Sequence, residues 1–223
     1  LLLRGFMTFD EFVLLVEKHH GKVVGKPKVW KSSNVTLKST GTNFKFASDA
    51  KVDGLSLTDY GGNNTIIIGS RSKLTGIIKV GKGCSLIIGN DFSCTGGMKL
   101  HLSEQKDIVI GNGCMFGVDI SIYNHDYHPI FCQHTGNRIN HSKNVIIRDN
   151  VWLANKVTVL KGVTIDSGAI IGIGSVVSSD IEGSSIAVGI PAKVVKRNVI
   201  WNSASFNTTH QDGLDNISEV YCE

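Results

Sequence analysis

Histidine side chains are concentrated in one polar stretch of the 223-residue chain. Residues 123–144 are rich in asparagine and contain His125, His128, His134 and His141. An imidazole changes its charge near neutral pH, so a histidine can take the proton of a hydroxyl group that attacks another molecule. The stretch therefore predicts general-base chemistry, and that chemistry needs rigid elements on either side to position it.

The segment after these histidines repeats every six residues. One set of steps comprises Val145, Val151, Val157, Val163, Ala169 and Ser175. A second set comprises Ile147, Leu153, Val159, Ile165, Ile171 and Val177. A helix repeats at about 3.6 residues and a strand at about 2, so neither explains this period. A chain that turns a corner every six residues does, and stacked triangular coils of this kind form an all-β parallel solenoid.

The rest of the chain predicts how the solenoid is completed. Residues 8–20 have the pattern of a short amphipathic helix, with Thr8 and Glu11 as a capping box and Gly21 at its end. We expect this helix to cover the open first coil. The loose pattern of residues 22–62 predicts irregular early coils, and extra residues in the later coils are expected to bulge at corners.

These patterns divide the chain into an N-terminal segment with a capping helix (1–21), a solenoid (22–192) and a C-terminal extension (193–223). The histidine-rich residues 123–144 break the repeat and are expected to leave the solenoid as a surface loop, where function is often found. Pro191 is expected to end the last coil, residues 193–201 to form a short helix, and the following tail to be flexible. Residues 1–6 are taken as possible upstream material.

Composition excludes several classes of function. The formal net charge of +4 suits an anionic acceptor or coenzyme phosphates, and equally suits ordinary solubility. No basic run interleaved with aromatic residues indicates nucleic acid binding, and no apolar run reaches the roughly 18–20 residues that span a bilayer. The five cysteines show no CxxC spacing, so neither a disulfide framework nor a zinc ribbon is indicated. Cys94 and Cys114 are expected in the core, and a reducing, cytoplasmic setting follows as the default.

Several motifs of the repeat resemble those of one family. They are Val151-Trp152-Leu153-Ala154, Leu160-Lys161-Gly162-Val163-Thr164-Ile165, Ile171-Gly172-Ile173-Gly174-Ser175-Val176-Val177 and Gly189-Ile190-Pro191-Ala192-Lys193. Together they resemble the end of a hexapeptide-repeat acyltransferase. The resemblance implies a left-handed parallel β-helix, acetyl-CoA as co-substrate, and a homotrimer whose active sites lie between subunits.

The loop resembles one branch of that family more closely. The residues that carry this likeness are His128-Pro129-Ile130-Phe131, Arg138-Ile139-Asn140, Val145-Ile146-Ile147 and Val151-Trp152. They are similar to the capsular polysaccharide and sialic acid O-acetyltransferases. The resemblance implies direct acetylation of a sugar hydroxyl on a bacterial surface glycan, such as sialic acid or polysialic acid capsule, without a metal.

The resemblance also implies roles for individual residues. His128 matches the position of the catalytic histidine, with His125 as the alternative base, and a surface histidine in a mobile loop is the plain structural reading. Trp152 lies between inward positions, so its side chain should point outward. The resemblance implies that it lies at the thioester and acceptor end of the cleft. The residues expected to contact the acceptor are His125, Tyr127, Arg138 and Asn140. His134 and His141 are expected to be solvated.

Coenzyme A is expected to lie along the late coils. The residues implied in this contact are Ala154, Gly172, Gly174, Pro191, Lys193 and Arg197. Small residues at a corner would let the pantetheine arm pair with the backbone, and the basic pair would meet phosphates. The N–H of Ala154 is the expected donor to the developing oxyanion.

Three alternatives use the same scaffold. One is N-acetylation of an amino-sugar nucleotide, which needs the same base. Another is a zinc hydratase with His101, His125 and His128 as metal ligands. The third is a non-catalytic solenoid that binds partners. Lys99 and His101 stand in the coil before the loop, where some family members carry an asparagine, so acceptor contacts there do not carry over.

Overall fold

The computed structural model describes residues 6–203. Predictions for residues 1–5 and for the tail beyond residue 203, including Cys222, lie outside the described residues. The elements are α1 (Phe9–Lys18), β1 (Val23–Val24), β2 (Val29–Lys31), β3 (Asn34–Leu37), β4 (Asn43–Phe46), β5 (Lys51–Asp59), β6 (Thr65–Ile68), β7 (Lys73–Val80), β8 (Ser85–Ile88), β9 (Ser93–Gly96), β10 (Lys99–Leu102), β11 (Ile108–Ile110), β12 (Met115–Val118), β13 (Ser121–Tyr123), β14 (Val145–Ile147), β15 (Trp152–Leu153), β16 (Thr158–Val159), β17 (Thr164–Ile165), β18 (Ile170–Ile171), β19 (Val176–Val177), β20 (Ser185–Gly189) and β21 (Ala192–Arg197).

The strands form three sheets, one on each side of a triangular prism. The seven-stranded sheet has the order β1-β4-β6-β8-β11-β14-β17, and the eight-stranded sheet has the order β19-β16-β13-β10-β7-β5-β2, with β3 also paired to β5. The six-stranded sheet has the order β21-β20-β18-β15-β12-β9. From β8 onward, each coil contributes to the seven-stranded, six-stranded and eight-stranded sheets in turn. The predicted parallel β-solenoid is confirmed.

The six-residue repeat marks the inward positions of the late coils. None of the twelve residues in its two sets is more than 1% exposed. Burial of an aliphatic side chain contributes about 1.5–3 kcal/mol, so these two stacked rows supply much of the stability of the late coils. Cys94 and Cys114 are buried in the same core, as predicted.

The early coils, expected to be irregular, pair in the same parallel ladder as the late coils but contain a register shift. β1 pairs in parallel with β4, and β4 pairs in parallel with β6, so Val23, Phe44 and Ile66 are stacked on equivalent positions. The sequence hides this regularity because residues inserted at the corners shift the inward positions away from a strict period of six. One such shift lies between Val52 and Leu55, where β5 pairs with β7.

The capping helix is confirmed. The hydroxyl of Thr8 accepts the N–H of Glu11 at 3.2 Å, and the Glu11 carboxylate accepts the N–H of Thr8 at 2.7 Å. Phe12 stacks on Trp30 with ring centroids 4.6 Å apart, so the helix covers the first coil with an aromatic contact. The left-handed residue after the helix is His20, with φ of 56°. Gly21 is required for another reason, because a Cβ there would lie 2.0 Å from the carbonyl oxygen of Thr42.

The expected helix over residues 193–201 is wrong. The chain turns after β20 and returns as β21, which pairs with β20 in the antiparallel direction. The last coil would otherwise leave a row of unpaired backbone groups at the sheet edge, and the returning strand satisfies them. Within residues 6–203, no helix has the length and apolar character needed to cross a membrane.

Replacing Phe12 by alanine is expected to destabilise the chain by about 3–5 kcal/mol, because a fully buried ring leaves the aromatic cluster of the cap. Denaturant unfolding measures the change. Leu14→Ala is the matched control on the same helix, since Leu14 is 66% exposed, and it should change stability by less than about 0.5 kcal/mol. Equal effects of the two substitutions would contradict the capping role of Phe12.

Candidate active site

The histidine-rich loop is an ordered hairpin. It leaves the prism at the corner between the eight-stranded and seven-stranded sheets, because β13 ends at Tyr123 and β14 begins at Val145. Phe131 and Arg138 form an antiparallel bridge, and the N–H of Ile139 donates to the carbonyl of Ile130 at 2.9 Å. The backbone of the loop is therefore held by its own hydrogen bonds.

Asn140 holds the two arms of this hairpin together. Its side chain is buried, and its Nδ2 donates to the Asp126 carboxylate at 2.9 Å and to the His128 carbonyl at 2.8 Å. Its Oδ1 accepts the N–H of Ile130 at 2.7 Å and Nε of Arg138 at 3.3 Å. Asn140 and Arg138 were expected to contact the acceptor. The structure gives both side chains partners within the chain that hold the loop, and their contact with the acceptor stays a prediction.

Two ion pairs tie the hairpin to the corner of the prism. Arg138 pairs with Glu104, and Glu104 also accepts Oγ of Ser142 at 2.6 Å. These donors, Arg138 first, lower the pKa of Glu104 to about 2. Lys161 pairs with Asp126, and that contact is the main cause of the lowered pKa of Asp126. Sequence reasoning missed Glu104, Asp126 and Lys161, because only the folded coils bring their charges together.

His128 has a fixed backbone and a free side chain. Its N–H donates to the carbonyl of Asp126 at 2.7 Å, and its own carbonyl accepts from Asn140. The preceding residue, Tyr127, has a left-handed backbone with φ of 64°. The His128 side chain is exposed and makes no hydrogen bond or ion pair to any residue from 6 to 203. Its imidazole is therefore carried on an ordered backbone and is available to another molecule.

His125 and His101 lie beneath Tyr127. Nδ1 of His125 accepts the N–H of Tyr127 at 3.0 Å, and Nδ1 of His101 contacts the Tyr127 hydroxyl. Burial lowers the pKa of His125, although the carboxylates of Glu104 and Asp126 oppose that effect. Burial, and then the charge of Lys79, lowers the pKa of His101 to about 4. His101 is therefore neutral at neutral pH, and burial favours the neutral form of His125.

The remaining histidines of the loop do not form a metal site. His134 and His141 are exposed, as predicted. No group of three or more His, Cys, Asp or Glu side chains in the described part of the chain is arranged to hold a metal ion. The proposed zinc set of His101, His125 and His128 is therefore not brought together in this structure.

Trp152 lies on the outer face of the six-stranded sheet, as the alternation of its strand predicts. Its neighbours along that face are Met115 and Ile170. Trp201 packs beside it, with ring centroids 5.9 Å apart, and donates from Nε1 to the carbonyl of Asn150 at 2.7 Å. The sequence did not predict this contact of Trp201, because a helix was expected over residues 193–201. The structure has β21 there, followed by a segment that brings Trp201 to Trp152.

The expected oxyanion donor is already used. The N–H of Ala154 donates to the carbonyl of Ile171 at 2.9 Å, because it continues the parallel ladder to the next coil. The N–H of Gly172 is used in the same way, at 2.8 Å from the carbonyl of Ala187. The N–H of Gly174 is also used, at 2.9 Å from the carbonyl of Asn155, but this residue has a left-handed backbone and open space where a Cβ would lie.

The hairpin of β20 and β21 carries the other residues expected to meet coenzyme A. Pro191 and Lys193 are exposed at and just after its turn. Arg197 lies at the end of β21 and pairs with Glu182 at 2.6 Å, so its guanidinium already has an anionic partner on an exposed surface. Lys193 makes no ion pair within residues 6–203.

A single chain keeps the loop and Trp152 on different sides of the prism. The loop leaves one corner, and its anchors Glu104 and Lys161 both lie at that corner, between strands of the eight-stranded and seven-stranded sheets. Trp152 lies on the six-stranded sheet, which is the side opposite that corner. The strand order therefore places the root of the loop and Trp152 on different parts of the prism surface.

Loop anchoring through Glu104 is expected to depend on pH. A lowered pKa means that its contribution is present above the unfolded value of about 4.5 and is lost as the pH falls toward about 2. Hydrogen exchange of the Ser142 amide, corrected for intrinsic rate, should show stronger protection in the wild type than in Glu104→Gln above about pH 5. That difference should shrink below about pH 4. A difference that is independent of pH would contradict the role of the Glu104 charge.

The sequence of this chain is similar to those of two known enzymes. No family model matches the chain. It is 32% identical over 196 residues to the polysialic acid O-acetyltransferase of Neisseria meningitidis, covering 80% of this chain and 91% of that protein. It is also 38% identical over 134 residues to the polysialic acid O-acetyltransferase of Escherichia coli O1:K1, and this match spans only 43% of that protein.

Solved structures agree with the sequence comparison. The polySia specific acetyltransferase NeuO has a TM-score of 0.77 at 30% identity, covering 84% of this chain and 87% of that chain. The polysialic acid O-acetyltransferase OatWY has a TM-score of 0.73 at 27% identity, covering 87% of this chain and 97% of that chain. The fold is thus the left-handed parallel β-helix, and the chain belongs to the hexapeptide-repeat acyltransferases, in the branch of the sialic acid O-acetyltransferases.

Proposed function

We propose that this chain transfers an acetyl group from acetyl-CoA to a hydroxyl group of a sialic-acid-containing glycan. The observation that carries the proposal is the likeness to polysialic acid O-acetyltransferases over most of the chain. Because the N. meningitidis match covers 80% of this chain, it is not confined to a few coils. Polysialic acid, the acceptor named for those relatives, is the first acceptor to test.

His128 is the proposed general base. It offers an unpartnered imidazole on a backbone that Asn140 and Asp126 hold in place. In the proposed reaction, His128 takes the proton of the acceptor hydroxyl while the oxygen bonds to the acetyl carbonyl carbon. The carbon–sulfur bond then breaks, and His128 returns its proton to the leaving thiolate. His125 is the alternative base, but one of its ring nitrogens is already occupied by Tyr127.

Acetyl-CoA is proposed to bind along the late coils as a substrate. Lys193 has a free ammonium group for a phosphate, and Gly174 has open space beside its backbone for a narrow chain. Trp152 has an outward indole whose N–H makes no hydrogen bond to residues 6–203, and it is proposed to contact the acetyl or acceptor group. The N–H of Ala154 is not proposed as the oxyanion donor, because the ladder uses it.

A homotrimer with active sites between subunits is part of the proposal. The prism has three flat sides that can pack around a threefold axis. The hairpin of one subunit would meet the six-stranded sheet of its neighbour, which brings His128 and Trp152 to one cleft. The exposed apolar residues Ile130, Phe131 and Ile139 support this arrangement, because they give the hairpin an apolar surface that a neighbouring copy can cover.

His128→Ala is expected to lower kcat by about 10²–10⁴-fold, because a general base contributes roughly that factor. Release of free thiol from acetyl-CoA measures the rate, with polysialic acid, oligosialic acid, sialic acid, CMP-sialic acid, neutral capsule fragments and amino-sugar nucleotides as acceptors. His134→Ala is the matched control on the same hairpin and should keep its activity.

The same assay separates the alternatives. A larger loss in His125→Ala than in His128→Ala would move the base to His125. Normal turnover in His128→Ala would remove His128 from the mechanism. Thiol release with amino-sugar nucleotides alone would contradict O-acetylation of sialic acid, and no release with any acceptor would contradict the proposed function as a whole.

A further inference from the structure

A small cleft lies beside the root of the hairpin, on the eight-stranded sheet. Its volume is about 240 Å³. The polar and aromatic side chains that line it are Tyr60, Lys79, His101, Ser103, His125 and Tyr127. Neither the proposed base nor Trp152 lines it. The cleft therefore lies beside the proposed base, although it includes His125, the alternative base, and Tyr127, which directly precedes His128 in the chain.

His101 lines the cleft and is largely buried. It is 6% exposed, and its Nδ1 contacts the Tyr127 hydroxyl. Its Nε2 makes no hydrogen bond to residues 6–203, yet no fully buried side-chain nitrogen or oxygen atom in that part of the chain lacks a partner. Nε2 therefore keeps some accessible surface. A largely buried imidazole that lines a cleft and has one accessible, unpartnered nitrogen can hydrogen-bond a polar ligand.

The walls combine aromatic surface with positive charge. Tyr60 and Tyr127 are 50% and 57% exposed, so each presents ring surface that can stack on a sugar. Lys79 contributes an ammonium group that makes no ion pair in the described part of the chain, and Lys38 lies over the Tyr60 ring at 4.6 Å. No Asp or Glu lines the cleft. Lys79 therefore gives the lining of the cleft a positive charge that favours an anion. The nearby carboxylates of Glu104 and Asp126 are paired with Arg138 and Lys161.

We propose that this cleft binds one carboxylate-bearing sugar residue of the acceptor, adjacent to the residue that is acetylated. Lys79 pairs with the carboxylate, Tyr60 and Tyr127 stack on the ring, and His101 hydrogen-bonds a hydroxyl group. This inference rests on the proposed function, since the acceptor hydroxyl is placed at His128. The sugar unit in the cleft and the sugar unit that is acetylated are then neighbours in the glycan, because Tyr127 in the cleft directly precedes His128 in the chain.

The test measures binding and turnover separately, with an α-linked sialic acid oligomer as the probe. Binding by calorimetry to the full chain, without acetyl-CoA, is compared for wild type, Lys79→Gln and Lys45→Gln. Lys45 is the matched control, because it is an exposed lysine on the seven-stranded sheet, away from the cleft. Lys79→Gln should weaken binding about tenfold and raise the KM for the oligomer similarly, while kcat and the KM for acetyl-CoA stay within about twofold. Lys45→Gln should change none of these.

A second arm changes the ligand in place of the protein. An oligomer whose carboxylates are reduced to alcohols should bind the wild type and Lys79→Gln equally, because the group that Lys79 pairs with is gone. Equal binding of the unmodified oligomer to all three proteins would overturn the inference and leave the proposed function intact. Displacement of the oligomer by free CoA would also overturn it, since Lys79 would then belong to the coenzyme site. No binding to the wild type overturns the inference, whereas no thiol release overturns the proposed function.

Discussion

Parallel pairing between successive coils is the constraint on which the rest of this structure depends. Apart from the strands at the sheet edges and the antiparallel β21, each strand pairs with the equivalent strands one coil before and one coil after it, so backbone N–H groups along the sheets are used in the ladder. Inward side chains fill the core, so only outward side chains and the corners of the coils are left to contact other molecules. Chemistry can therefore come only from outward residues such as Trp152 and from segments that leave the prism at a corner. The paired amide of Ala154 shows this limit directly.

The hairpin at residues 124–144 is the largest such segment, and charge holds it to its corner. Glu104 and Lys161 belong to the coils, while Arg138 and Asp126 belong to the hairpin, and each pair joins the two. Asn140 completes the arrangement within the hairpin. These contacts order the backbone around His128 before any substrate binds. Ordering in advance lowers the entropy that a reaction must otherwise lose when its groups come together.

The late coils could be predicted from the sequence because apolar side chains of similar size recur every six residues. Only a chain that turns a corner every six residues buries all of them on one inner face. The early coils could not, because their corners vary in length and hide equivalent inward positions such as Phe44 and Ile66.

The candidate site was predicted only in part. His128 and Trp152 stand in recognisable segments, but Glu104, Lys161 and Trp201 act through contacts between residues distant in sequence. No local sequence pattern predicts such contacts. The strand at Ala192–Arg197 was missed because a sheet edge decides its conformation.

The central claim is that His128 of one subunit and Trp152 of another form each active site. Co-expression of His128→Ala and Trp152→Ala chains in equal amounts tests it most directly, with thiol release from acetyl-CoA as the readout. Each variant alone is expected to be nearly inactive. If sites form between subunits, mixed assemblies should regain about a quarter of wild-type activity, since one interface in four then pairs an intact His128 with an intact Trp152. If both residues act within one chain, every site contains a defect, and mixed assemblies that stay as inactive as the single variants would contradict the account.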